Sequence, residues 1–163
     1  MFKKWFKKSA NEQVIKAPLR GRVVALSEVP DPVFAEKMMG DGVAIQPEEG
    51  TLYSPVEGEV VQLFPTHHAI GLQTADGLEL LLHIGLETVS MEGEGFSAHV
   101  KVGDKVKNGD PLIDFSLDLV KEKAKSTITP IVITNMDKVD KLEPHYSDAV
   151  QTGDTILTVS VKE

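Results

Sequence analysis

The stretch Thr66–Gly85, THHAIGLQTADGLELLLHIG, carries three of the chain's five histidines inside an apolar, strand-like run. It reads as a hairpin: two apolar strands, Ala69–Thr74 and Leu78–Ile84, around the turn residues Thr74–Gly77. Imidazoles are poor occupants of such positions. A neutral histidine packs less well than leucine, and a charged one is far costlier to bury. The pairing of the strands decides whether two of the three act together. Any even-length loop puts His68 and His83 on one face of the hairpin and sends His67 to the other. A four-residue loop sets His68 directly across from His83, with Cβ atoms about 4.5–5.5 Å apart. A three-residue loop or a bulge reverses the choice in favour of His67.

Working outward, the chain from Val14 on consists of brief apolar runs broken by Gly, Pro and Asp. Strands are expected at Gly42–Gln46 and Ile128–Thr134 besides the two of the hairpin. APLRGRVVAL (Ala17–Leu26) matches SPVEGEVVQL (Ser54–Leu63), and KNGDPLIDF (Lys107–Phe115) echoes QTGDTILTV (Gln151–Val159). Two copies at this spacing imply pseudo-symmetric halves rather than a solenoid. Short helical turns are expected at PVFAEKMMG, with Gly40 as C-cap, and at DLVKEKAK, with Asp118 as N-cap. The fold class is all-β, an antiparallel sandwich or barrel-like arrangement with minor helix.

Composition narrows the function classes. The chain has 163 residues, no cysteine and a net charge of −8. Disulfides, Cys-based zinc sites and a thiol nucleophile are excluded, general nucleic-acid binding is disfavoured, and a cytoplasmic location fits. No apolar run approaches the ~18 residues of a membrane span, and no signal-peptide core follows the basic N-terminus. That N-terminus is distinct: MFKKWFKKSANEQ (residues 1–13) places Phe2, Trp5 and Phe6 at helical spacing, with Lys3, Lys4, Lys7 and Lys8 on the other side. Residues 1–8 read as an amphipathic segment for an anionic membrane surface, ahead of one domain over residues 14–163.

Two histidines on one face allow three uses: metal binding, a base–nucleophile pair, or a phosphoryl group carried on nitrogen. A metal site generally needs a third or fourth ligand, and no motif-spaced residue supplies one. A hydrolase triad needs a nucleophile with its own signature, and no Gly-x-Ser-x-Gly is present. Phosphohistidine chemistry needs least: one neutral imidazole attacks, its neighbour donates hydrogen bonds, and a hydroxyl such as Thr66 fixes a tautomer.

HAIGLQTADGLELLLHIGLETVSMEGEGF (His68–Phe96) resembles the glucose-type enzyme IIA of the bacterial phosphoenolpyruvate-dependent sugar phosphotransferase system. The likeness continues through VPDPVFAEKMMGDGVAI (Val29–Ile45), VKVGDKVKNGDPLIDF (Val100–Phe115) and KEKAKSTITPIVITNMD (Lys121–Asp137), nearly all of Ala17–Val161. The resemblance implies a phosphocarrier that takes a phosphoryl group from HPr onto His83 Nε2, supported by His68 and Thr66, and passes it to a cysteine of a IIB domain. It implies a partner surface of Val33, Phe34, Met38, Met39, Phe64, Gly85, Glu87 and Val89. The family commonly has Asp where this chain has Glu87. The basic N-terminal segment is similar to membrane-binding extensions of some members, so peripheral membrane association is expected. No cofactor is required, although Zn²⁺ shared by His68, His83 and a partner's carboxylate fits the family. A monomer suits a carrier that docks two partners in turn through one face. Phosphorylation of His83 would also change the face that regulatory partners meet. The sugar is chosen by the permease and is not legible in this chain.

Two other classes stay open on the residues. A lipoyl- or biotinyl-type carrier domain would share the Gly-rich turns of VKVGDKVKNGDPL and use Lys37 beside Met38. A zinc-dependent sandwich-fold hydrolase would need a His-x-His motif that LLHIG lacks.

Overall fold

The computed structural model describes residues 12–162. The first part of the strand set comprises β1 (Glu12–Lys16), β2 (Gly21–Ala25), β3 (Asp41–Pro47), β4 (Thr51–Tyr53), β5 (Gly58–Leu63), β6 (Ala69–Gln73) and β7 (Glu79–His83). The second comprises β8 (Phe96–Ala98), β9 (Lys105–Val106), β10 (Pro111–Phe115), β11 (Thr129–Ile133), β12 (Val139–Pro144), β13 (Ser147–Val150) and β14 (Thr155–Val161). Two short helices interrupt them, α1 (Pro32–Ala35) and α2 (Leu117–Lys123). The four strands expected from the apolar runs all form, with ends within a residue of those read from sequence. Of the N-terminal segment, residues 1–11 lie outside the described residues, whereas Glu12 and Gln13 already pair with β14.

Eight strands make one antiparallel sheet in the order β13-β2-β3-β11-β7-β6-β5-β9, and two three-stranded sheets run β1-β14-β12 and β4-β10-β8. The order is a palindrome of the internal repeat. The matched segments become β2 and β5, each second from an edge of the large sheet, and the echoed segments become β10 and β14, each central in a small one. The equivalence reaches single hydrogen bonds. Ala17 N donates to Asp154 O and Gly153 N to Ala17 O; at the matching places Ser54 N donates to Asp110 O and Gly109 N to Ser54 O. Both Asp side chains also close their own turns, Asp110 accepting from Lys107 N and Asp154 from Gln151 N at 2.8 Å each.

Both faces of the large sheet are covered, which explains why β6, β7 and β11 are apolar at successive positions rather than alternate ones. One face, with Val43, Ile45, Ile70, Leu80, Leu82, Ile131 and Ile133, packs into the main core. The other face presents Val24, Ala44, Ala69, Leu81 and Val132 to a second cluster, closed by Leu26, Val29, Phe34, Leu86 and Ile128. Burying each such aliphatic side chain contributes roughly 1.5–3 kcal/mol.

The helix boundaries differ from those expected. Ser116, not Asp118, caps α2, its hydroxyl accepting from Leu119 N at 3.2 Å, and Asp118 sits inside the first turn. Helix α1 is capped by Asp31, whose carboxylate accepts from Val33 N at 2.9 Å, and it ends well before Gly40. Its exit is a Schellman motif in which Lys37 takes the left-handed position at φ +58°. Lys37 N bonds Phe34 O and Met38 N bonds Val33 O, each at 3.0 Å. The chain therefore leaves the helix outward at Met38.

Candidate functional site

His83 ends β7, and His68 immediately precedes β6. Their imidazoles meet edge to face, with ring centroids 5.0 Å apart at 77°. The pair expected from sequence is the pair that forms, but the register that led to it is not. β6 and β7 pair Ala69 with His83 and Gln73 with Glu79, an odd loop. In that register strict alternation would send His67 to the His83 face and His68 away from it. Alternation stops one residue too early for that. His67 lies at φ +60°, outside the strand, and its N–H closes a tight turn onto Phe64 O at 2.7 Å. The turn re-aims His68, whose own carbonyl is bonded by Ile84 N at 2.8 Å.

Each imidazole has one nitrogen assigned by a neighbour. His83 Nδ1 donates to the Gly85 carbonyl at 2.7 Å. A carbonyl only accepts, so the neutral ring must hold its proton on Nδ1, leaving the Nε2 lone pair free. His68 Nδ1 is hydrogen-bonded to the Thr66 hydroxyl. If that hydroxyl donates, the His68 proton sits on Nε2 and makes this nitrogen a donor.

Burial keeps both rings neutral. His68 is only 3% exposed. Burial, and after it the charge of His83, push its pKa down to about 4. His83 is half-buried and its pKa is also lowered, chiefly by burial, against the upward pull of the Gly85 carbonyl and the Asp31 carboxylate. At neutral pH the site therefore offers a nucleophilic nitrogen beside a second neutral imidazole.

Around the pair, Phe34 tilts against His83 and Phe64 stands edge-on to His68, each at 5.3 Å between centroids. Phe34 is buried and belongs to the second cluster, with Phe64 packed against its edge. Gly85 is also buried, and its contribution to the site is its carbonyl. Val33, Met38, Met39 and Val89 are the exposed apolar members of the expected partner surface, Met38 most of all at 70%. Glu87 is exposed, in the left-handed region at φ +59°, and opens the 3-10 turn that carries Val89. Lys37, by contrast, stands at the exposed exit of α1, within 3.5 Å of Asp41, and not at a hairpin tip. Among the described residues no group of three or more His, Asp or Glu could hold a metal ion, so the histidines supply two ligands at most. A groove of about 850 Å³ between Glu12, Glu59, Asp76 and Lys105 includes neither histidine.

Asp31 is the site residue that sequence reading missed. Its place before Pro32 marks a helix start, but its effect on His83 depends on how α1 packs over the sheet.

Comparison with known proteins agrees with this architecture. The profile of the family described as phosphoenolpyruvate-dependent sugar phosphotransferase system, EIIA 1, matches residues 13–139. A PTS system glucose-specific EIIA component from Bacillus cereus is 57% identical, covering 99% of this chain and all of the relative. One from Halalkalibacterium halodurans is 54% identical over 99% of both chains. The solved glucose permease IIA from Mycoplasma capricolum superposes with a TM-score of 0.86 at 41% identity, covering 90% of this chain and 95% of that one.

Proposed function

The chain belongs to the EIIA 1 family of the phosphoenolpyruvate-dependent sugar phosphotransferase system, and on that premise we propose that His83 Nε2 is the atom on which it carries the phosphoryl group. The observation that supports this is the Nδ1–H bond to Gly85, which leaves Nε2 as the unprotonated nitrogen of a neutral ring. The donor is phosphorylated HPr: the Nε2–P bond forms as the donor's P–N bond breaks. The acceptor is a IIB cysteine, whose thiolate forms the S–P bond as Nε2–P breaks.

Phosphorylation at Nε2 with the proton retained on Nδ1 makes the His83 ring cationic, the form that leaves phosphorus readily. The Gly85 carbonyl and Asp31, which pull the His83 pKa upward, both favour that cation. His68, neutral and held at Nδ1 by Thr66, presents its other nitrogen as a donor to the phosphoryl oxygens. Val33, Met38, Met39 and Val89 form the apolar rim on which both partners dock in turn. Methionines suit a surface that must fit two different proteins.

The test is transfer from phosphoenolpyruvate-charged HPr, read by intact mass. His83→Ala is expected to abolish the acid-labile adduct. His68→Ala is expected to accept the group and pass it on slowly, by about 10²-fold or more. Persistence of the adduct in His83→Ala would overturn the assignment.

A further inference from the structure

The three residues after His83 form a strap in which every backbone polar group has a partner. Ile84 N donates to His68 O at 2.8 Å, and Ile84 O accepts from the Thr88 hydroxyl at 2.7 Å. Gly85 O accepts from His83 Nδ1. Leu86 N donates to Ser126 O at 2.9 Å, and Leu86 O accepts from Lys125 N at 3.1 Å. The remaining group, Gly85 N–H, faces the Thr129 hydroxyl at 3.4 Å. The strap has no slack: Gly85 lies at φ +70°, and a Cβ there would stand 2.8 Å from both Ser126 O and Thr88 Cγ2.

Thr129 lies on β11 and is fully buried. Its single hydroxyl proton goes to Thr127 O at 3.0 Å, so its oxygen faces Gly85 N as an acceptor. Gly85 is itself buried, and among the described residues no other side chain bonds that N–H. We propose that Thr129 is a positioning residue for His83. By holding the Gly85 N–H it sets the tilt of the strap, and the strap aims the Gly85 carbonyl at Nδ1. The bare Nε2 of His83 is thus specified two hydrogen bonds away, from the neighbouring strand. An untethered imidazole in water prefers its proton on Nε2, the wrong nitrogen for attack, so the tilt has a chemical consequence. This rests on the reading of His83 Nε2 as the phosphoryl acceptor.

Thr129→Val keeps the shape and removes the acceptor, leaving Gly85 N–H buried and unpaired. The contact is long for a hydrogen bond, so a change of several-fold, about three- to tenfold, is expected in the rate of phosphoryl acceptance from HPr. The deciding readout is the ¹⁵N spectrum of the His83 ring in the full, unphosphorylated chain at neutral pH. The native protein should show a protonated Nδ1 and a bare Nε2; Thr129→Val should move population toward the other tautomer, and Thr129→Ser should restore both tautomer and rate. If valine does not fold at this site, Thr129→Ala removes the same hydroxyl with less bulk and is read the same way. An unchanged tautomer in Thr129→Val, with or without a slower rate, overturns the proposal and leaves Thr129 a packing residue. A shifted tautomer in a protein whose native form takes no phosphoryl group would support the positioning and refute the acceptor reading instead.

Discussion

Asp31 shows how one carboxylate serves two purposes at once. Its oxygen caps α1 through Val33 N, and its charge raises the affinity of the His83 ring for a proton against the effect of burial. The two roles separate in Asp31→Asn, because asparagine is an equally good N-cap but carries no charge. Stability should stay within about 0.5 kcal/mol of native, while the His83 titration midpoint moves further down. If His83 carries the phosphoryl group as proposed, onward transfer to a IIB cysteine should slow, because the cationic phosphorylated ring loses its nearby anion. NMR titration of the His83 ring checks the first effect; an upward move would mean that Asp31 does not act on this ring through its charge. Nothing in the local sequence announces the coupling. His68, His83 and Thr66 stand out because polar residues interrupt an apolar run, whereas Asp31 reads only as the start of a helix.

At the scale of elements, sequence periodicity gave the strands and lost the details of their ends. The β6–β7 hairpin is the instructive case. Alternation predicts faces only while the chain remains a strand, and the chain at His67 is a turn. His68 reaches His83 because of that turn, so the right partner was legible from an incorrect register. Helix α1 fails in the same way: Gly40 looked like its C-cap, yet Lys37 occupies the left-handed position and Gly40 falls beyond it. A lysine there costs about 1–2 kcal/mol relative to glycine. Its exposed ion pair with Asp41, 3.5 Å long, offsets at most about 1 kcal/mol. Lys37→Gly should therefore stabilise the protein by roughly 0.5–1 kcal/mol, seen as a higher urea midpoint at unchanged slope. A loss of stability would show that the lysine stem contributes packing that outweighs the backbone strain.

At the scale of the molecule, the quasi-symmetric halves produce one large sheet with a core on each face, and the histidines sit over the smaller of the two. That placement ties the protonation of the two rings, and with it the proposed phosphoryl chemistry, to global stability. The folded state resists protonating both rings, His68 down to about pH 4, whereas the unfolded chain takes up these protons near pH 6.5. The unfolded state thus binds more protons in this interval, so stability is at its full value above about pH 6.5 and declines as pH falls toward 4. The slope reaches at most ~1.4 kcal/mol per pH unit for each ring. Asp114, which His99 holds below the usual carboxylate range, loses its own contribution at still lower pH. Urea unfolding between pH 7 and pH 4.5 should show the decline, and His68→Gln should flatten it by removing one of the two protons. A flat profile in the native protein would mean that the rings are hydrated in solution. In that case the neutral, dry pair that the proposed phosphoryl acceptance requires would have to form only when a partner closes over the exposed Met38 and Val89.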